Sequence, residues 1–130
     1  MSTKFKLYLG ATAAPLVAFT VLLAPVRTAA AEVDVSKIPP AATKTVDFEK
    51  DIKPILEGTC LKCHSGEKPK GKYSLESRAN ALKESDEGPN ISPGNSAKSP
   101  LIHNVSRLVE DKEMPPEGKG DPLTKEQIGL

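Results

Sequence analysis

The stretch Cys60-Leu61-Lys62-Cys63-His64 is the most informative part of this chain of 130 residues. Its spacing, C-x-x-C-H, is the attachment signature of a c-type haem. Two thiols separated by two residues on a helical turn can each form a thioether to a haem vinyl group, and the histidine that follows then lies within ligand reach of the iron. The motif therefore predicts one haem c, with Cys60 and Cys63 as covalent anchors and His64 as the proximal iron ligand.

Three other interpretations of the cysteine pair compete with haem attachment. A thioredoxin-like C-x-x-C requires a preceding strand in a βαβ unit, whereas the residues before Cys60 have a helical pattern. A closed structural zinc site requires four ligands, and the only further nitrogen or sulfur ligands in the mature chain are His103 and Met114, of which Met is a poor zinc ligand. A disulfide between Cys60 and Cys63 is the simplest state in an exported protein, but it would close a very small ring. We therefore expect haem attachment.

The sixth iron ligand is expected to be Met114. Ligation by Met and His is usual in electron-carrying c-type cytochromes, and Met114 is the single methionine after residue 31. Pro115 and Pro116 follow it and restrict its loop, which reduces the entropy lost when the loop becomes ordered. His103 is the alternative ligand, but its position on a short helix after Pro100 is typical of a solvated residue.

The first 31 residues have the pattern of an export signal. Lys4 and Lys6 precede 20 uncharged residues, Leu7 to Val26, and a run of alanines ends at Ala31. We expect cleavage after Ala31 and a periplasmic protein. The alternative is an uncleaved membrane anchor formed by Leu7 to Val26, because a helix of about 20 residues can span a bilayer. Only an uncleaved segment would place the protein at the membrane.

Charge and composition restrict the function further. The chain has 18 basic and 17 acidic residues, a net charge of +1, which argues against a nucleic-acid partner. Cleavage after Ala31 would remove three basic residues and leave 15 against 17 acidic ones, a net charge of −2. Phe48 and Tyr73 would be the remaining aromatic residues, too few for an ordinary core in so short a chain.

A covalently bound macrocycle would supply the missing apolar volume. The chain without haem is then expected to fold poorly, because cofactor binding and folding are coupled. Lys72, Tyr73 and Arg78 are candidates for contacts with the haem propionates. The apolar residues expected to pack against the haem are Ile52, Leu56, Leu61, Leu75, Leu82, Leu101, Ile102 and Val105.

The pattern of apolar and capping residues predicts an all-α fold of short helices and long loops. Residues 32–45 are expected to form a flexible leader, and residues 46–130 the domain. A first helix should begin near Asp47 or Thr45 and be kinked or broken at Pro54. Further helices are predicted after Ser77, after Ser99-Pro100 and from the capping box Thr124 to Gln127. No strand is predicted.

Residues 47–130 resemble the Planctomycete-type cytochrome c domain. The resemblance implies a class-I-like cytochrome c fold, one covalent haem and a distal Met ligand at Met114-Pro115-Pro116. Such domains continue into a full C-terminal helix that would pack over Phe48 and Ile52, so the domain is expected to be incomplete at Leu130. The other matching stretches are Asp51-Ile52-Lys53-Pro54-Ile55-Leu56, Cys60-Leu61-Lys62-Cys63-His64, Lys70-Gly71-Lys72-Tyr73-Ser74-Leu75 with Ser77-Arg78, Pro93-Gly94-Asn95 with Lys98-Ser99, and Leu123-Thr124-Lys125-Glu126-Gln127-Ile128.

Two functions follow as hypotheses. The first is an exported mono-haem electron-transfer module with His/Met-ligated iron, which exchanges electrons with redox partner proteins and is not itself an enzyme. The alternative is a haem-based sensor or enzyme module with an open or labile sixth ligand, as part of a larger exported protein. The first is preferred, because a haem-based enzyme or sensor would need a distal acid or base, and the sequence offers none other than His103.

Overall fold

The helix that leads into the Cys60 motif begins directly after Asp47. The computed structural model describes residues 32–85 and 88–130. The carboxylate of Asp47 accepts a hydrogen bond of 3.0 Å from the Lys50 N–H, and so caps the helix as one of the two predicted caps. The helix, named α1, is made of three consecutive pieces, Phe48–Ile52, Lys53–Ile55 and Leu56–Cys60.

Helix α1 continues through Pro54, so the break that was one of the two predicted outcomes does not occur. The outer two pieces have the wide turns of a π-helix, in which each N–H reaches the carbonyl five residues earlier. The bond from Leu61 N–H to the Leu56 carbonyl, 2.9 Å long, is one of them. Pro54 lies in the first turn of the middle piece, a position at which the missing N–H of proline is tolerated.

Three more short helices follow, and two have the caps that the sequence predicted. The hydroxyl of Ser77 accepts from the Asn80 N–H at 3.1 Å. Thr124 and Gln127 form both bonds of a capping box, of 2.8 and 3.2 Å. The helices are α2 (Arg78–Ala81), α3 (Pro100–Val105) and α4 (Lys125–Gly129), and the 3₁₀ turns are Val35–Lys37, Lys70–Lys72 and Ser96–Lys98.

A small β-hairpin departs from the all-α prediction. Strand β1 (Glu84–Ser85) pairs antiparallel with β2 (Gly88–Pro89), with Glu84 opposite Pro89. Two residues per strand are too few for the period-two alternation by which strands are recognised in a sequence. The described part of the chain is otherwise helices and long loops, as predicted.

The leader segment, residues 32–45, contacts helices α1 and α4. The Ala42 N–H donates to the Gly129 carbonyl at 2.7 Å. The Lys44 ammonium donates to the Asp51 carboxylate at 2.7 Å, and this hydrogen bond lowers the pKa of Asp51. The leader thus connects the first and last helices of the domain.

The apolar side chains surround a cavity rather than a packed centre. Leu75 and Val105 are the buried hydrophobic residues of the described ranges, each 7% exposed. None of the described side chains is fully buried, and Phe48, on α1, is 56% exposed. Burial of apolar area is the main favourable term in folding, and it is small here.

The described residues belong to one compact unit, Ala31–Leu130. The predicted export signal, residues 1–31, and the alternative anchor, Leu7 to Val26, lie outside the described residues. Within residues 32–85 and 88–130, no helix has the length and apolar character needed to cross a membrane.

Candidate haem site

The cysteine motif occupies the end of helix α1 and the turn after it. Cys60 is the last residue of the helix, and its carbonyl accepts from the N–H groups of Cys63 and His64 at 3.1 and 2.9 Å. The motif therefore continues the helical turn, which brings residues three and four positions apart to one face. Cys60, Cys63 and His64 all line one cavity of about 600 Å³, a volume within the usual range of ligand sites.

A hydrogen bond to the backbone determines the state of the His64 ring. The Nδ1 atom lies 2.9 Å from the Tyr73 carbonyl oxygen. Because a carbonyl oxygen can only accept, Nδ1 carries a proton, and the lone pair of the neutral tautomer with this bond is on Nε2. Histidine ligands of metals are typically oriented by such a bond from the other ring nitrogen.

The loop between the motif and Tyr73 closes back on the motif by backbone bonds. The Lys70 N–H donates to the Cys63 carbonyl at 2.8 Å, and the Leu75 N–H donates to the His64 carbonyl at 2.8 Å. Gly71 has a φ of +61° within this loop, a conformation that glycine adopts without strain. These bonds hold the Tyr73 carbonyl beside the imidazole.

The side chain of Tyr73 supports the same wall of the cavity. Its ring packs edge-on against the His64 ring, with the centroids 6.0 Å apart and the planes at 66°. Its hydroxyl donates to the Ala81 carbonyl of α2 at 3.0 Å. Burial, with a smaller contribution from the nearby Cys60, raises the pKa of Tyr73 to about 12.

Met114 lines the same cavity as the motif. Its N–H donates to the Asn104 carbonyl at 3.0 Å, which fastens the Met114 loop to helix α3. Pro115, the next residue, is buried. The structure therefore brings the thiols, the imidazole and the thioether predicted from sequence to one cavity.

His103 is not among the residues that line this cavity. Its Nε2 atom lies 2.9 Å from the Ala97 carbonyl oxygen, so the ring bonds to the preceding 3₁₀ turn. It is on helix α3, as are the cavity-lining residues Leu101, Asn104 and Val105. Of the two candidate sixth ligands, Met114 lines the cavity and His103 does not.

Cys60 and Cys63 are not joined by a disulfide. Burial raises the pKa of the Cys60 thiol. In the described ranges, no group of three or more His, Cys, Asp and Glu side chains is arranged to hold a metal ion. The donor set at the cavity is two thiols, one imidazole with a free Nε2 and one thioether, which fits a covalently attached haem.

The remaining expectations for the cavity wall hold in part. Of the propionate candidates, Lys72 and Tyr73 line the cavity and Arg78 does not. Leu75, Leu101 and Val105 line it, as expected. Ile52, Leu56, Leu61, Leu82 and Ile102 do not line it. The lining also includes residues that no sequence pattern indicated, among them Thr59, Lys83, Asn90 and Leu123.

Comparison with known proteins identifies one match. Residues 60–118 match the family model described as Planctomycete cytochrome C. The match begins at the first cysteine of the motif and includes Met114. No curated protein and no solved structure matches the chain.

Proposed function

We propose that the chain is an exported mono-haem electron-transfer protein, because residues 60–118 match the family model described as Planctomycete cytochrome C. The family indicates haem binding and electron transfer. The finer assignment is that Cys60 and Cys63 hold the haem and that His64 and Met114 ligate its iron. The observation that carries it is the convergence of these four side chains on one cavity.

Each of the four residues has a distinct task in this proposal. The sulfurs of Cys60 and Cys63 would hold the two vinyl carbons as thioethers, which keeps the group in place through every redox cycle. His64 would bind iron through Nε2, oriented by its Nδ1–H bond to the Tyr73 carbonyl. Met114 would supply a soft sulfur ligand, which favours the reduced state and raises the potential.

The bound haem supplies a one-electron couple at its iron. The chain contributes a low-dielectric wall, formed by Leu75, Leu101 and Val105, that limits the access of water to the ligands. The Met114 loop is fastened to α3 by its bond to the Asn104 carbonyl. If His64 and Met114 both held the iron, no position would be left for a substrate, which suits a protein that only transfers electrons.

Export and redox partners are part of the same proposal. The pattern of residues 1–31 supports export with cleavage after Ala31, and attachment of c-type haem takes place outside the cytoplasm. We propose a periplasmic location, with membrane anchoring through Leu7 to Val26 as the alternative. Redox proteins of that compartment would be the partners.

Covalent attachment tests the proposal directly. The full chain, exported in cells with a c-type haem maturation system, should keep its colour in the protein fraction after acid–acetone extraction. Cys60→Ala and Cys63→Ala should each reduce attachment to one thioether, and the double variant should lose all haem to the organic phase. Complete extraction of haem from the wild-type chain would overturn the proposal.

A further inference from the structure

The Tyr73 carbonyl, which accepts the bond from His64 Nδ1–H, lies directly after a strained turn. The two residues before it, Gly71 and Lys72, both have left-handed backbone angles, with φ of +61° and +55°. Glycine adopts such an angle without strain, but lysine does not. The Tyr73 N–H bonds to the Lys70 carbonyl at 3.3 Å, longer than the usual length of about 2.9–3.0 Å. Strained backbone persists only where its surroundings hold it.

The hydroxyl of Tyr73 ties this turn to a helix outside the loop. It donates to the Ala81 carbonyl at 3.0 Å. Ala81 is the last residue of α2, whose first turn is capped by the Ser77 hydroxyl. A phenol ring is rigid and has few rotatable bonds, so a hydroxyl fixed at one end also fixes the backbone of Tyr73 at the other. The side chain thus determines the direction of its own carbonyl.

The ring of Tyr73 lines two cavities. One is the haem cavity, and the other is a smaller cavity of about 210 Å³ whose wall includes the polar residues Ser74, Asn80 and Glu84. The ring also packs edge-on against the ring of His64. A ring in this position would limit the access of water to the bond between His64 and the carbonyl. A hydrogen bond is electrostatically stronger where water is excluded.

We propose that Tyr73 is a positioning residue for the proximal ligand: through its bond to Ala81 and its contact with the His64 ring, its side chain keeps its own carbonyl on Nδ1–H. The inference rests on the proposed function, because it takes His64 as the iron ligand. A bond from the other ring nitrogen raises the basicity of a ligating imidazole. A more basic imidazole stabilises ferric iron, so Tyr73 would lower the reduction potential through this second-shell bond.

Three variants separate the hydroxyl, the ring and helix α2. Tyr73→Phe keeps the ring and removes the bond to Ala81, whereas Tyr73→Leu also removes the contact with His64. The control is Ser77→Ala, which removes the cap of α2, a bond of 3.1 Å from the Asn80 N–H, and leaves the Tyr73 side chain unchanged. Loss of a cap and loss of one hydroxyl bond have similar costs. The control therefore measures what a weakened α2 does by itself.

The first measurement follows the Nδ1–H bond and does not depend on electron transfer. In the reduced, haem-loaded protein labelled with ¹⁵N, NMR gives the rate at which the Nδ1 proton of His64 exchanges with solvent. We expect exchange in Tyr73→Phe to be roughly fivefold faster than in the wild type, as for the loss of one hydrogen bond of ordinary net strength. Exchange in Tyr73→Leu should be faster still, and Ser77→Ala should have the wild-type rate.

The second measurement is the reduction potential by redox titration. It should rise in Tyr73→Phe and remain at the wild-type value in Ser77→Ala. The red charge-transfer band expected for a Met114 ligand should be the same in both, which places the change on the His64 side of the iron.

A wild-type potential in Tyr73→Phe would overturn the positioning role, even if its proton exchanged faster. An equal shift in Ser77→Ala would overturn it as well, because a weakened α2 would then be the cause. An absence of covalent haem in the wild type would instead overturn the proposed function, and the haem content of each protein separates the two outcomes.

Discussion

At the level of single residues, the bond from His64 to the Tyr73 carbonyl makes the imidazole a directed ligand. A proton held on Nδ1 leaves Nε2 as the one ring atom able to bind a metal. Because the acceptor is a backbone carbonyl, no single side-chain substitution at residue 73 removes it. The state of His64 is thus determined by the closure of the loop from Lys70 to Leu75.

Met114 is the residue whose replacement should change the redox properties most. In Met114→Ala, the weak red charge-transfer band of a ferric haem with a thioether ligand should disappear. The reduction potential should fall by on the order of 100 mV, within the roughly 0.8 V range that axial ligands control. Absorbance spectra and a redox titration measure both effects, and added imidazole or carbon monoxide should then bind readily.

His103→Ala is the matched control for Met114→Ala. In the wild type, the His103 ring bonds to the Ala97 carbonyl and does not line the cavity. The substitution should therefore leave the band, the potential and the binding of imidazole unchanged. A loss of axial ligation in His103→Ala, with none in Met114→Ala, would reverse the assignment of the sixth ligand.

The key side chains of the candidate site could be predicted from sequence, but the backbone group that orients His64 could not. Cys60, Cys63 and His64 are fixed by one short motif, and Met114 by its uniqueness and the prolines after it. The Tyr73 carbonyl could not be found, since every residue has a carbonyl and only the fold selects one.

At the level of elements, the local signals of capping were reliable. Asp47, Ser77 and Thr124 cap their helices as their residue types suggest. The wide turns of α1 on either side of Lys53–Ile55 could not be predicted, because no local pattern in the sequence distinguishes them from ordinary helical turns. The contact of the leader with α4 is likewise a tertiary feature that no local pattern encodes.

At Gly129 in helix α4, a tertiary contact with the leader outweighs helix propensity. Helix propensity alone favours Gly129→Ala by about 1 kcal/mol. However, a Cβ at this position would lie 2.6 Å from the Pro40 carbonyl oxygen, and the Ala42 N–H bonds to the Gly129 carbonyl. Because backbone must shift to relieve the clash, we expect Gly129→Ala to lower stability by about 1–3 kcal/mol, the range for overpacking.

Thermal melts of the haem-loaded protein test this expectation. Gly58→Ala is the matched control, since Gly58 is also helical and its Cβ would meet no atom within 4 Å. That control should be neutral or stabilising. A higher midpoint for Gly129→Ala would show that the leader yields easily and that its contact with α4 contributes little.

At the level of the whole molecule, the cavity accounts for the sparse core, because the apolar side chains surround it instead of packing against one another. The cavity of about 600 Å³ lies where a packed core would otherwise be, and Leu75 and Val105 are the buried hydrophobic residues described. Burial of apolar area is the main favourable term in folding, and the whole stability of a typical domain is only about 5–15 kcal/mol. The chain without a group in the cavity therefore has little apolar burial to stabilise it.

The fold should therefore depend on the haem. Chain produced without haem maturation should melt gradually and at low temperature, whereas the haem-loaded chain should melt in one cooperative transition. Circular dichroism against temperature measures both, and the apo form should also bind a dye for exposed apolar surface. The control is the apo form of Cys60→Ser/Cys63→Ser, because it excludes a Cys60–Cys63 disulfide as the cause of any difference. If the apo chain melts as cooperatively as the loaded one, with a midpoint within a few degrees, then the backbone network around Cys63, His64 and Leu75 suffices to form the cavity, and the haem occupies a preformed site rather than completing the core.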